Sequence, residues 1–82
     1  MKFYVEVTDT FCGEANYSWV NRFVVSAKSE LGAIRKIGKE TGLSFRKDWD
    51  DGLCTRYDSK SGLTCAFVSY YDADCDHSGR EI

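Results

Sequence analysis

Carboxylates are the residues whose types and spacing come nearest to chemistry in this chain. Asp48, Asp50 and Asp51 bracket Trp49 in the run DWDDG, Asp58 follows, and Asp72, Asp74 and Asp76 alternate near the C-terminus. Acids at the first, third and fifth positions open an EF-hand loop, the oxygen cage that holds calcium. Here His77 stands at the sixth position, where the sharp turn needs glycine, the twelfth position falls past Ile82, and no flanking helices are expected. Asp48 to Gly52 fails the same spacing test, and its plainer alternative is a turn with Trp49 folded onto the core edge. His77, the one histidine, falls in a presumed tail, a poor place for a general base that must be held in geometry. Cys12, Cys54, Cys65 and Cys75 form no C-x-x-C pair, so neither a zinc knuckle nor a thioredoxin-like motif is present. Four cysteines could make a disulfide framework in a secreted protein, but no secretory context is visible, and free thiols in a reducing cytoplasm are expected. Cys12 and Cys75 are then the pair most open to adventitious oxidation. No nucleophile motif and no P-loop occurs, and glycosidase-type carboxylate pairs need a cleft that 82 residues rarely wall off. The expectation is a protein with no catalytic residue, no metal and no cofactor.

The charges are distributed unevenly. The net charge is −2, yet residues 22–47 carry seven bases against two acids and residues 48–82 carry three bases against eight acids. A basic middle, +5, is thus followed by an acidic end, −5. The plain alternative is a solvated helix face and a solvated hairpin. Arg35, Lys36, Lys39, Arg46 and Lys47, with Arg22 and Lys28, are candidate nucleic-acid contacts. A pI near 5.3 argues against that use, since such domains are typically strongly basic. Asp48, Asp50, Asp51 and Asp58 are candidate contacts of another kind: acids along a rim can occupy a basic groove that would otherwise hold phosphates. Trp49, or Tyr57, Tyr70 and Tyr71, would be the aromatic anchors of such an interface.

These residues need elements to position them. Residues 2–8 alternate, with Phe3, Val5 and Val7 on one side, and predict a half-buried strand. Residues 9–17 read as a connecting loop and residues 18–27 as a second strand. Ser29 is a good N-cap, Glu30 suits the first turn, and Leu31, Ile34 and Ile37 form an apolar stripe ended by Gly42, which predicts one amphipathic helix. Gly32 and Gly38 inside it point either to a close approach between helix and sheet or to a mediocre helix. Residues 44–52 read as polar connection, 53–58 and 63–71 as strands joined by a hairpin loop, and 72–82 as a frayed acidic tail. The fold class expected is α+β: a single domain over residues 1–71, with a four-stranded, mainly antiparallel sheet and one helix on one face, in the order ββαββ. Which face of residues 53–71 is buried stays open, because Cys54, Arg56, Cys65 and Phe67 fall together in the simplest register. No apolar run is long enough to span a membrane.

With its small size, its MKFYVEV strand start, its SAKSELGAIRKI helix and its acidic hairpin, the chain resembles the small proteins encoded by bacteriophages and other mobile elements. It is similar in kind to anti-CRISPR proteins. That group shares no fold or signature, so no residue role carries over. The resemblance implies a non-enzymatic, stoichiometric inhibitor acting in the host cytoplasm, as a monomer or homodimer. It would bind a CRISPR-Cas effector, a multisubunit type I surveillance complex, and block target DNA. On that reading Asp48, Trp49, Asp50, Asp51, Tyr57 and Asp58 face the partner. The alternatives are a phage nucleic-acid-binding regulator that uses Arg35, Lys36, Lys39, Arg46 and Lys47, and a virion or assembly accessory protein that oligomerises.

Overall fold

Period-two burial of Phe3, Val5 and Val7 builds the first strand, β1 (Lys2–Phe11), which pairs antiparallel with β2 (Glu14–Ser26) from Lys2 opposite Ser26 to Thr8 opposite Val20. The computed structural model describes residues 1–72 and 79–82, so the expectations for Asp74, Cys75, Asp76 and His77 lie outside the described residues. Residues 9–17 are not a long loop. Both strands run on to a two-residue turn at Cys12 and Gly13, with φ of 55° and 80°. Two successive positive φ values are the signature of a type I′ turn, whose twist matches the flanking strands. The register shifts between Thr8 and Thr10, and side chains hold the irregularity. Thr8 donates its hydroxyl to the Trp19 carbonyl (2.8 Å), and Asp9 accepts from the Asn16 amide (2.9 Å) and the Ser18 backbone (3.0 Å). The Ser18 and Asn16 bonds draw the Asp9 carboxyl down to a pKa of about 2.

The helix, α1 (Glu30–Thr41), is capped as its sequence predicts: the Ser29 hydroxyl accepts from the Gly32 N–H, and Gly42 is left-handed at φ 74° with its N–H on the Gly38 carbonyl. Ala33, Ile34 and Ile37 are buried against the sheet, whereas Leu31 leaves the expected stripe and stays 53% exposed. Gly38 does mark a close approach, but to the chain that leaves the helix: a Cβ there would stand 2.9 Å from the Leu43 carbonyl oxygen.

Four more strands complete one sheet: β3 (Phe45–Asp50), β4 (Thr55–Ser59), β5 (Thr64–Tyr70) and β6 (Arg80–Glu81), in the order β3-β4-β5-β1-β2-β6. The α+β class with one helix on a sheet holds, but among the described residues the sheet has six strands, not four, and is mixed because β6 runs parallel to β2. Residues 45–50, expected as connection, form an edge strand. Residues 80–82, expected within a frayed tail, are tied down by the Ile82 N–H on the Val24 carbonyl (2.9 Å) and the Ser26 N–H on the Ile82 carbonyl (3.1 Å). Among the described residues, no helix is long and apolar enough to cross a membrane.

The sheet therefore has a face covered by α1 and a face that, among the described residues, carries no helix. Phe3, Val5 and Val7 of β1, Phe23 and Val25 of β2, Tyr57 of β4, and Ala66 and Val68 of β5 meet α1 in the core. The register places Arg56 opposite Phe67 and Asp58 opposite Cys65 on the other face, which resolves the mixed set in residues 53–71.

Candidate protein interface

On the face without a helix, a short platform forms where β3, β4 and β5 lie side by side. An irregularity between Lys47 and Trp49 makes Asp48 an extra residue in β3, and such a bulge re-aims the side chains around it. Trp49 thereby stands opposite Arg56, and its ring lies 6.3 Å from the Phe67 ring. The Arg56 guanidinium carbon sits 5.9 Å over the Phe67 ring. Arg56 is the hub of this surface. Its Nε donates to Asp58 (3.0 Å) and lies 3.6 Å from the Asp48 carboxylate, and its Nη2 donates to the Gly13 carbonyl (2.7 Å) at the tip of the β1–β2 hairpin. The Arg56 side chain is only 11% exposed. Burial works against its charge, but the Asp58 hydrogen bond and the Asp58 and Asp48 charges outweigh burial and hold the guanidinium above its ordinary pKa. Trp49 is 42% exposed, so the platform presents an indole set beside the Phe67 ring and partly open to solvent.

The other expected contacts separate. Asp50 and Asp51 leave the platform for the β3–β4 turn. Asp50 accepts from the Gly52 N–H (2.8 Å) and pairs with Lys47 (3.5 Å), while one Asp51 oxygen accepts from the N–H groups of Leu53 (2.9 Å) and Cys54 (2.8 Å). The Gly52 bond, followed by Lys47, keeps the Asp50 carboxyl below its usual range. Tyr57 is not a surface anchor at all: it is 5% exposed, and its hydroxyl donates to Glu30 Oε2 (2.9 Å). Phe67 and Arg56, which the sequence reading did not select, are what make Trp49 a platform. Their signal was the shared face of Arg56 and Phe67 in the simplest register, but which face that was stayed open until the pairing with β1 and the packing of α1 set it. Folding also blends the charge halves, because β3 pairs with β4 and places Arg46 opposite Asp58.

The basic set divides in the same way. Arg35 and Lys39 are exposed on α1 with no partner among the described residues, and Lys36 donates to the Ser26 carbonyl. Arg46 is exposed on the edge strand, and Lys47 is engaged by Asp50. Beyond the C-terminal end of α1 an open cavity of about 590 Å³ is walled by Trp19, Asn21, Phe23, Leu43 and Arg80. The Arg80 guanidinium there is engaged by Glu40 and by the Phe23 ring at 5.5 Å. Among the described residues no group of three or more His, Cys, Asp or Glu side chains is placed to hold a metal ion. Cys12, Cys54 and Cys65 are unbridged, and burial pushes the Cys65 thiol pKa up. No protein-family profile, curated protein or solved structure matches this chain.

Proposed function

We propose that the protein is a stoichiometric, non-enzymatic binder of another protein, an inhibitor of the anti-CRISPR kind, and that the Trp49 platform is the surface it offers. The observation that supports this reading is the exposed indole of Trp49 set beside Phe67, itself covered by the Arg56 guanidinium, on a sheet. Tryptophan and arginine are the side chains that most often carry interface energy, and a ring already held in place loses little entropy on binding. Asp48 and Asp58 beside it favour a partner that is basic where it meets the platform, as the groove of a CRISPR effector that holds target DNA is.

The test is co-purification with multisubunit type I effector complexes, followed by a target-DNA binding assay. The wild-type protein is expected to remain bound and to displace DNA. Trp49→Ala is expected to weaken the association by about thirtyfold, the loss typical of a central aromatic contact, and Asp48→Lys to slow association at low salt. Retention of full affinity by a folded Trp49→Ala, Asp48→Lys double variant, or no association with any effector complex, overturns the reading.

A further inference from the structure

The opposite side of β3 carries a second surface, which uses none of the platform side chains. A groove of about 520 Å³ runs between α1 and β3, with Leu31, Ile34, Leu43 and Phe45 as its apolar wall and Arg35 and Lys39 on its rim. Three observations say what fits it. First, β3 is an edge strand among the described residues, and an edge strand offers unpaired backbone N–H and C=O groups to an incoming chain. Second, β3 lies alongside the helix. At one end Thr55, opposite Asp50, donates to Glu30 in the first turn (2.8 Å); at the other, Phe45 follows directly on the loop that leaves the last turn. A strand added to that edge therefore runs along α1. Third, the rim is positive and uncompensated. Glu30 is taken by Thr55 and Tyr57, and Glu40 by Arg80, which leaves Arg35 and Lys39 without partners among the described residues.

We infer that this groove binds an extended acidic segment of a partner protein by strand addition to β3, with carboxylates on Arg35 and Lys39 and an apolar side chain beside Leu31. The spacing supports it. Leu31, Arg35 and Lys39 succeed one another every four residues, a step of about 6 Å along a helix. Alternate residues of a strand, which point to the same side, are separated by about 6.7 Å. The recognised pattern is thus an apolar residue and two acids at every second position, with the intervening side chains free. This is the peptide mode in which main-chain bonds give affinity and alternate pockets give specificity. A nucleic acid fits less well, because the wall is aliphatic and the chain is net negative at −2.

Random short peptides displayed on phage, panned against the immobilised full chain, test the inference. The enriched sequences are expected to share the apolar-x-acid-x-acid spacing in one direction or the other. The consensus peptide, fluorescently labelled, should lose at least about tenfold in affinity to Arg35→Glu, Lys39→Glu, the size expected for removing and reversing two rim charges. Phe67→Leu, which disturbs the platform from β5, should leave peptide binding unchanged, which separates this surface from the platform, and a thermal melt should show each variant folded. No enrichment, enrichment without acids, indifference to the double charge reversal, or tighter binding of a short DNA duplex through the same two residues would each overturn it.

Discussion

A phenol in a core needs an acceptor for its proton, and Glu30 supplies one to Tyr57 from the first turn of α1. Burial, and after it the Glu30 hydrogen bond and charge, push the Tyr57 pKa from 10.0 up to about 12. Folding thus favours the neutral phenol. Below pH 10 its contribution is present in full; between pH 10 and about 12 the unfolded chain releases this proton while the folded chain keeps it, and stability falls as pH rises. Tyr57→Phe should remove that alkaline loss and should cost about 1–3 kcal/mol at neutral pH, since the bond is to a charged acceptor. Urea denaturation at neutral and alkaline pH checks both. A cost near zero, or an unchanged alkaline slope, would contradict this account. Tyr57 also shows why an aromatic next to an acid in sequence is a poor guide to a surface. Thr55, Tyr57 and Ser59 are all buried, and two of these three residues are polar, so period two alone does not point them inward. Asp50 and Asp51 were legible as turn residues and as acids, but only their hydrogen bonds decide between the two uses.

At the scale of elements, the helix was the most legible part of the chain because its ends are written in side chains: Ser29 and Glu30 at the start, Gly42 at the stop. Its two internal glycines make opposite predictions. A Cβ at Gly32 would make ordinary contacts of 3.5 Å with Ala27 and Ser29, so Gly32→Ala should stabilise the protein by about 0.5–1 kcal/mol. At Gly38 the same change would drive a methyl group to 2.9 Å from a backbone oxygen; Gly38→Ala should lower the melting temperature despite alanine's better propensity. Equal shifts of the same sign in a thermal melt would refute the distinction. The edge strand β3 was illegible for a physical reason. FRKDWD is exposed at every position but Phe45, and its alternation is broken at Asp48 by the bulge. Charged residues along its length erase the apolar alternation by which strands are recognised. The β1–β2 turn escaped notice because cysteine stands where a type I′ turn usually carries asparagine.

For the molecule as a whole, the coarse α+β arrangement followed from one periodic helix among alternating segments. The strand number did not, because a two-residue strand such as β6 has no period to read. That small strand nevertheless matters. Ile82 packs on the core, and Arg80 lies over Phe23 and meets Glu40 of α1. Removing residues 80–82 deletes an apolar contact, the β6–β2 ladder and the backbone bonds of Ile82 to Val24 and Ser26, and should cost about 2–4 kcal/mol. A urea midpoint unchanged by the truncation would show that β6 merely rests on the sheet.

The first strand and the fifth are neighbours at the centre of the sheet, with Val5 opposite Val68 and Val7 opposite Ala66. Nearly the whole chain must be in hand before this central pair can zip. The hairpins and the helix are local and form early, but they remain fragments until the largest loop closes. With its other large pairings made as hairpins and only this central one so remote, the topology belongs with mixed folds of intermediate folding rate. A ribosome that has released only β1, β2 and α1 holds a hairpin whose inner edge still waits for its partner.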